Sequence, residues 1–155
     1  MKKPLPIDEV ADGLWVGPCP NTPEFIRGMR QQHGRTGMVN LQTDADLESL
    51  GMAWPLMWRF LMSVGISSQR VIITDFDDRS LLAGLDDAVS AVNDMIGAGH
   101  KTYLHCTAGV NRSPTVAIAW LARHGGLELD DAWQQVTSRR SCAPNRKVLE
   151  AWTQR

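Results

Sequence analysis

The chain has 155 residues, a formal net charge of −1 and 43% hydrophobic residues, which is enough for one domain, residues 1–155, with a substantial core. That charge makes no general case for binding nucleic acid or an acidic membrane surface, and no apolar run is long enough to cross a bilayer. The start of the chain is basic at Lys2 and Lys3 but has no apolar stretch resembling a secretory leader, and the three cysteines, an odd and sparse set, suit a reducing cytoplasm.

In chain order, Leu14-Trp15-Val16 between Gly13 and Gly17 predicts a short strand. Thr22 can cap a helix over residues 23–32 that ends near Gly34, and Gly37-Met38-Val39-Asn40-Leu41 predicts a buried strand. A helical stretch covers residues 54–64, and Arg70-Val71-Ile72-Ile73-Thr74 predicts a third strand. Leu82, Leu85, Ala88, Val89, Val92, Met95 and Ile96 form one face of an amphipathic helix. Thr102-Tyr103-Leu104 is an apolar β-forming run after the breakers Gly97 and Gly99. From Ser113 the pattern turns helical until Gly125-Gly126. Two helices close the chain, one with Leu129, Ala132, Trp133 and Val136, the other with Val148, Leu149 and Trp152 after Pro144. Strands alternate with helices, so the expected class is α/β, a central and largely parallel sheet flanked by helices, with ligands gathered at the carboxyl ends of the strands.

The run His105-Cys106-Thr107-Ala108-Gly109-Val110-Asn111-Arg112-Ser113-Pro114 sits at such an end. It forms a tight loop between a strand and a helix N-terminus, where backbone N–H groups and the helix dipole favour an anion. Gly109 permits the backbone geometry of a cradle, and Pro114 fits a first helical turn. Arg112 can hold two phosphate oxygens with its planar fork, which a lysine cannot copy. The same surroundings favour a thiolate at Cys106, which makes it the candidate nucleophile. Ser113 can hydrogen-bond the sulfur, and His105 is expected to orient the loop rather than act as a base. His105, Thr107, Ala108, Gly109, Val110 and Asn111 complete the phosphate-binding loop.

A thiolate that attacks a phosphate ester expels an alkoxide, which leaves poorly without a proton, so a carboxylic acid must come from another loop. The run Thr74-Asp75-Phe76-Asp77-Asp78-Arg79 follows the preceding strand at the same end of the sheet. Asp75, first after that strand, is the expected acid, with Asp77 and Asp78 as alternatives. Arg112 and the amides neutralise the phosphate, so no metal or other cofactor is expected, and the few His and Cys residues show no zinc spacing.

Together these residues resemble the cysteine-based protein tyrosine phosphatase superfamily in its dual-specificity branch. The likeness covers most of the chain: Leu14-Trp15-Val16-Gly17, the acidic loop, residues 105–113 and the closing helices. It implies a protein tyrosine phosphatase-like fold and a phosphomonoester hydrolase that forms a phosphocysteine at Cys106. Asp75 would serve as acid and then base, and Arg112 as phosphate binder. A narrower likeness joins Asn40-Leu41-Gln42-Thr43-Asp44-Ala45-Asp46-Leu47-Glu48, the acidic loop, and Arg140-Ser141-Cys142-Ala143-Pro144 to the plant starch-excess and laforin-type glucan phosphatases. In that group aromatic side chains stack on sugar rings. Phe76 matches one such position, and Trp54 and Trp58, on one helical face, are further cleft candidates for which core burial competes with stacking. Asn111 and Ala143 depart from the glucan pattern.

The leading expectation is therefore a dual-specificity-type protein phosphatase acting on phosphotyrosine and also phosphoserine or phosphothreonine, as a cytoplasmic monomer without nucleic acid or membrane partners. A glucan phosphatase is the alternative. A non-catalytic phosphate-binding module is the reading from a different class, and the intact set of Cys106, Arg112, Ser113 and Asp75 argues against it. Arg139, Arg140, Arg146 and Lys147 form a basic cluster that can steer a phosphorylated substrate or simply solvate a helix end. Trp15, Trp120, Trp133 and Trp152 fall at core positions.

Overall fold

A five-stranded sheet carries the site. The computed structural model describes residues 4–155. The strands are β1 (Asp8–Ala11), β2 (Leu14–Gly17), β3 (Gly37–Asn40), β4 (Ser67–Arg70) and β5 (Thr102–His105), in the order β1-β2-β5-β3-β4. All neighbours are parallel except β1 and β2. The helices are α1 (Pro23–His33), α2 (Asp44–Ser49), α3 (Trp54–Ser63), α4 (Asp78–Gly97), α5 (Arg112–His124), α6 (Leu129–Arg139) and α7 (Arg146–Thr153).

Alternation along the strands explains the layers. Leu14, Val16, Val39 and Leu104 face a core built with α4, α5, α6 and α7. Trp15, Met38 and Tyr103 face the opposite side, with Ile26 and Met29 of α1, Leu47 of α2, and Met57 and Leu61 of α3. A sheet covered on both faces suits parallel pairing, which cannot tolerate one wet face. Trp15, Trp120 and Trp152 are buried, and Trp133 is partly buried against the first core.

Local signals account for the helix ends. The Thr22 hydroxyl accepts from Phe25 N–H at 3.1 Å, Pro23 begins α1, and Gly34 ends it at φ 62°. Asp77 caps α4 by accepting from Ser80 N–H at 3.0 Å.

The third strand lies three residues earlier than Arg70-Val71-Ile72-Ile73-Thr74 suggests. The ladder between β3 and β4 ends at the pair Asn40 and Arg70. Past that pair the Asn40 side-chain oxygen accepts from Gln42 N–H at 2.7 Å and turns the partner chain away. Residues 71–74 stay beside it through two hydrogen bonds only, Val71 N–H to Asn40 and Ile73 N–H to Leu41. Ile73 is buried and Ile72 is exposed, so the apolar run borders the site instead of filling a strand. β1 and α2 are elements the hydrophobic pattern did not mark.

Candidate active site

β5 ends at His105, level with Gly17 of β2 and Asn40 of β3. Cys106 follows at once, is 3% exposed, and its Sγ lies 3.2 Å from Ser113 Oγ in the first turn of α5. Residues 106–111 form the loop between them.

The hydrogen bonds of that loop divide by direction. His105 Nδ1 bonds the Cys106 carbonyl at 3.1 Å, and Cys19 N–H bonds that of Thr107 at 3.0 Å. Arg140 reaches the carbonyls of Ala108 and Gly109 at 3.4 and 2.7 Å. Ala143 N–H bonds Val110, and Thr115 bonds Asn111 through both its N–H and its hydroxyl. Each carbonyl from 106 to 111 thus has a donor on the scaffold. The N–H groups of residues 107–111 have no acceptor among the described residues. Asn111 offers no side-chain cap to α5, so the N–H groups of Arg112 and Ser113 in its first turn also stay open. Successive open N–H groups of this kind can receive an anion. Gly109 has φ 69°, and a Cβ there would lie 2.4 Å from the Gly17 carbonyl carbon, so the position requires glycine.

Arg112 is 1% exposed. One side of its guanidinium is tied: Nη1 donates to Asp46 at 2.7 Å and to the Ile73 carbonyl at 2.8 Å. Nη2 donates to Thr107 Oγ1 at 3.2 Å and lies 3.3 Å from Asp75 Oδ2. Nε is buried with no partner among the described residues. The Nε–Nη2 edge is the one that can take two oxygens of a phosphate.

Asp46 belongs to a capping box, in which its carboxylate accepts from Thr43 N–H while Thr43 Oγ1 accepts from Asp46 N–H. Burial works against the charged form of Asp46, but hydrogen bonds from Arg112 and Thr43 outweigh it and hold the carboxyl below its ordinary pKa. His105 is fully buried and stacks on Tyr103 with ring centroids 5.5 Å apart. Burial lowers its pKa to about 4, against the raising effect of the bond to the Cys106 carbonyl, with the charge of Arg112 lowering it further. The ring is therefore neutral near pH 7, and since a carbonyl only accepts, Nδ1 carries its proton. Its bond to the Cys106 carbonyl ties His105 to the loop.

Of the three acidic-loop carboxylates, Asp75 reaches Arg112. Asp77 caps α4, and Asp78 accepts from Asn145 Nδ2 at 2.7 Å and faces Lys147. Phe76 projects from the same loop with 92% exposure, in the left-handed region at φ 57°. Val110, also exposed, stands on the cradle rim. Trp54 lies under Arg70, whose guanidinium carbon is 5.3 Å from the ring centroid and which also holds the Gln42 carbonyl. The structure does not bring Trp58 to this site. It lines a separate groove with Met62, Gly65 and Ser67 at the amino end of β4, because one turn along α3 carries it toward the far end of the sheet. No cluster of three His, Cys, Asp or Glu side chains placed to hold a metal occurs among the described residues. No helix among them is long and apolar enough to cross a membrane.

Sequence reasoning missed three contributors. Gln42 donates to Thr107 Oγ1 at 3.1 Å, Asp46 holds Arg112, and Arg140 holds the loop. The Thr43–Asp46 spacing signals a cap, but nothing in it signals Arg112.

Comparison with known proteins agrees with this geometry. Residues 21–153 match the family described as dual specificity phosphatase, catalytic domain. The amyloplastic phosphoglucan phosphatase DSP4 of Castanea sativa is 33% identical over 140 residues, 89% of this chain and 37% of that protein. Human dual specificity phosphatase 28 is 32% identical over 143 residues, 92% of this chain and 73% of that protein. The crystal structure of human DUSP28 superposes with a TM-score of 0.72 at 26% identity, covering 98% of this chain and 93% of that one. The chain thus spans little more than a third of the chestnut protein's length.

The neutral, buried His105 makes stability depend on pH. The unfolded chain takes up a proton near pH 6.5 and the folded one only near pH 4. The contribution is complete above about pH 6.5 and is lost as pH falls toward 4, by about 3 kcal/mol. Urea unfolding of wild type and His105→Asn across that range should give a flatter profile for the variant. Equal slopes would remove His105 as the cause.

Proposed function

Since the chain belongs to the dual-specificity phosphatase catalytic-domain family, we propose that it hydrolyses phosphomonoesters through a phosphocysteine intermediate, as a dual-specificity-type protein phosphatase. The observation that carries this reading is the run of unbonded N–H groups that follows Cys106, closed by Arg112, whose Nε has no partner among the described residues. The substrate phosphate sits against those groups, with two oxygens on Arg112 Nε and Nη2. The Cys106 thiolate attacks phosphorus. The bond from phosphorus to the leaving oxygen breaks, and Asp75 delivers a proton to that oxygen. Asp75 then takes a proton from water as the water oxygen attacks phosphorus. The S–P bond breaks, and Ser113 O–H stabilises the departing thiolate. Arg112 and the amides supply the positive charge a metal would otherwise bring, so the reaction proceeds without one.

The substrate class is a phosphoprotein, in line with the name of another similar protein, human dual specificity protein phosphatase 1, 31% identical over 74 residues. A glucan phosphatase is the second reading, favoured by the exposed ring of Phe76 beside Asp75 and by the chestnut relative's name. The three free thiols suit a reducing cytoplasm, and the enzyme acts there as a monomer.

Cys106→Ser should abolish turnover of a small aryl phosphate while keeping affinity for it, measured by phosphate release and calorimetry. Turnover at the wild-type rate would end the phosphocysteine mechanism. Asp75→Ala should slow esters with poor leaving groups by about a hundredfold or more and spare those with good ones. A uniform loss would point to another acid. Metal-free phosphate release from a phosphotyrosine peptide should exceed that from phosphorylated amylopectin. The reverse order would move the assignment to the glucan class.

A further inference from the structure

Arg140 stands outside the catalytic steps, yet it is tied to the loop more heavily than any other side chain beyond it. Its Nε donates to the Gly109 carbonyl at 2.7 Å and its Nη2 to that of Ala108 at 3.4 Å. Its Nη1 turns the other way, to Asp8 at 3.0 Å and to the Pro6 carbonyl at 3.2 Å. The side chain is 11% exposed, so this is not a solvated helix end. We propose that Arg140 is a positioning residue for phosphate transfer: it holds two peptide units of the cradle with their carbonyls outward, so that the following N–H groups face the phosphate. The proposal rests on the phosphatase reading above.

The physical argument concerns peptide orientation. A peptide plane carries its C=O and N–H on opposite sides, so fixing the carbonyls of Ala108 and Gly109 outward aims the N–H groups of Gly109 and Val110 inward. Gly109 is the residue least able to hold its own orientation, since it populates both signs of φ readily. Left free, that peptide can flip and present a carbonyl to the phosphate. The other anchored carbonyls are held by backbone N–H groups, by the neighbouring His105, or by Thr115 of α5 itself. Those of Ala108 and Gly109 rely on one guanidinium. A charged donor makes the stronger hydrogen bond, and the planar fork serves several acceptors at once. Asp8 and the Pro6 carbonyl fix the far side of the fork, so the segment leading into β1 takes part in shaping the cradle.

The test uses the full chain with Arg140→Met, Arg140→Lys, Asp8→Asn and the double variant Asp8→Asn/Arg140→Met. Each is checked for folding by thermal unfolding and assayed well below its midpoint. The readouts are kcat and KM for a small aryl phosphate and the dissociation constant of tungstate, an oxyanion that fills the cradle. Arg140→Met should lose about ten- to hundredfold in kcat/KM and in tungstate affinity, the scale of hydrogen bonds to a charged group. Arg140→Lys should recover part of both. Asp8→Asn should weaken tungstate about threefold, and that effect should vanish once Arg140 is gone. Stability alone would move neither tungstate affinity below the transition nor its rescue by lysine. A folded Arg140→Met within twofold of wild type in both readouts overturns the proposal. An Asp8→Asn effect of the same size in both backgrounds overturns it too. If Arg140→Met does not fold, Arg140→Lys decides: a folded lysine variant equal to wild type overturns the proposal, and one weakened in tungstate binding upholds it. Wild type that neither turns over the ester nor binds tungstate overturns the phosphatase reading itself, and this proposal with it.

Discussion

Six successive carbonyls at the end of β5 must find donors outside their own loop, and much of the molecule is arranged around that requirement. The donors come from His105 at the end of β5, from the segment before α1, from α5, and from the stretch after α6. Buried polar groups of the main chain are costly to leave unpaired, so a loop whose amides stay open is tenable only where its carbonyls are satisfied elsewhere. The parallel sheet makes this feasible. It brings β2, β3 and β5 to the same level, so the segments leaving them converge on Cys106.

A second constraint is electrostatic. Arg112 is buried, and a buried cation is tolerable only when paired and hydrogen-bonded. Asp46 and the Ile73 carbonyl meet that need on one side of the guanidinium and fix its plane. This also explains why residues 71–74 run as an extended border and not as a strand: the Ile73 carbonyl bonds the arginine. Asp75, two residues on, inherits its place beside Arg112 from the same anchoring.

Most of the fold was legible in the sequence because the helices and the inner strands carry strong periodic or apolar patterns bounded by glycine, proline and capping residues. The core of the candidate site was legible because Cys106, Gly109, Arg112 and Ser113 lie within one loop and the helix turn after it, where sequence spacing is nearly spatial spacing. The rest depends on distance in the chain. Asp46 lies 66 residues from the arginine it holds, and Arg140 lies 31 from the Gly109 carbonyl. No local pattern encodes such pairings. β1 is four residues long and only half buried, so its pattern is weak, and α2 is six residues read most easily as a turn. The strand before the acidic loop was displaced because its end is set by where Asn40 turns the partner chain. Trp58 shares a helical face with Trp54, but a helix running along the sheet carries successive turns away from its carboxyl edge.

Phe76 combines two features that each work against the folded chain. Its backbone holds a left-handed conformation that costs an ordinary residue about 1 kcal/mol or more, and its ring has almost no protein contact. The bond from its N–H to the Asp75 carboxylate needs only the backbone and would survive any side chain with an N–H. Within the isolated molecule a glycine would do better here. A library sorted for stability alone should therefore discard Phe76 early.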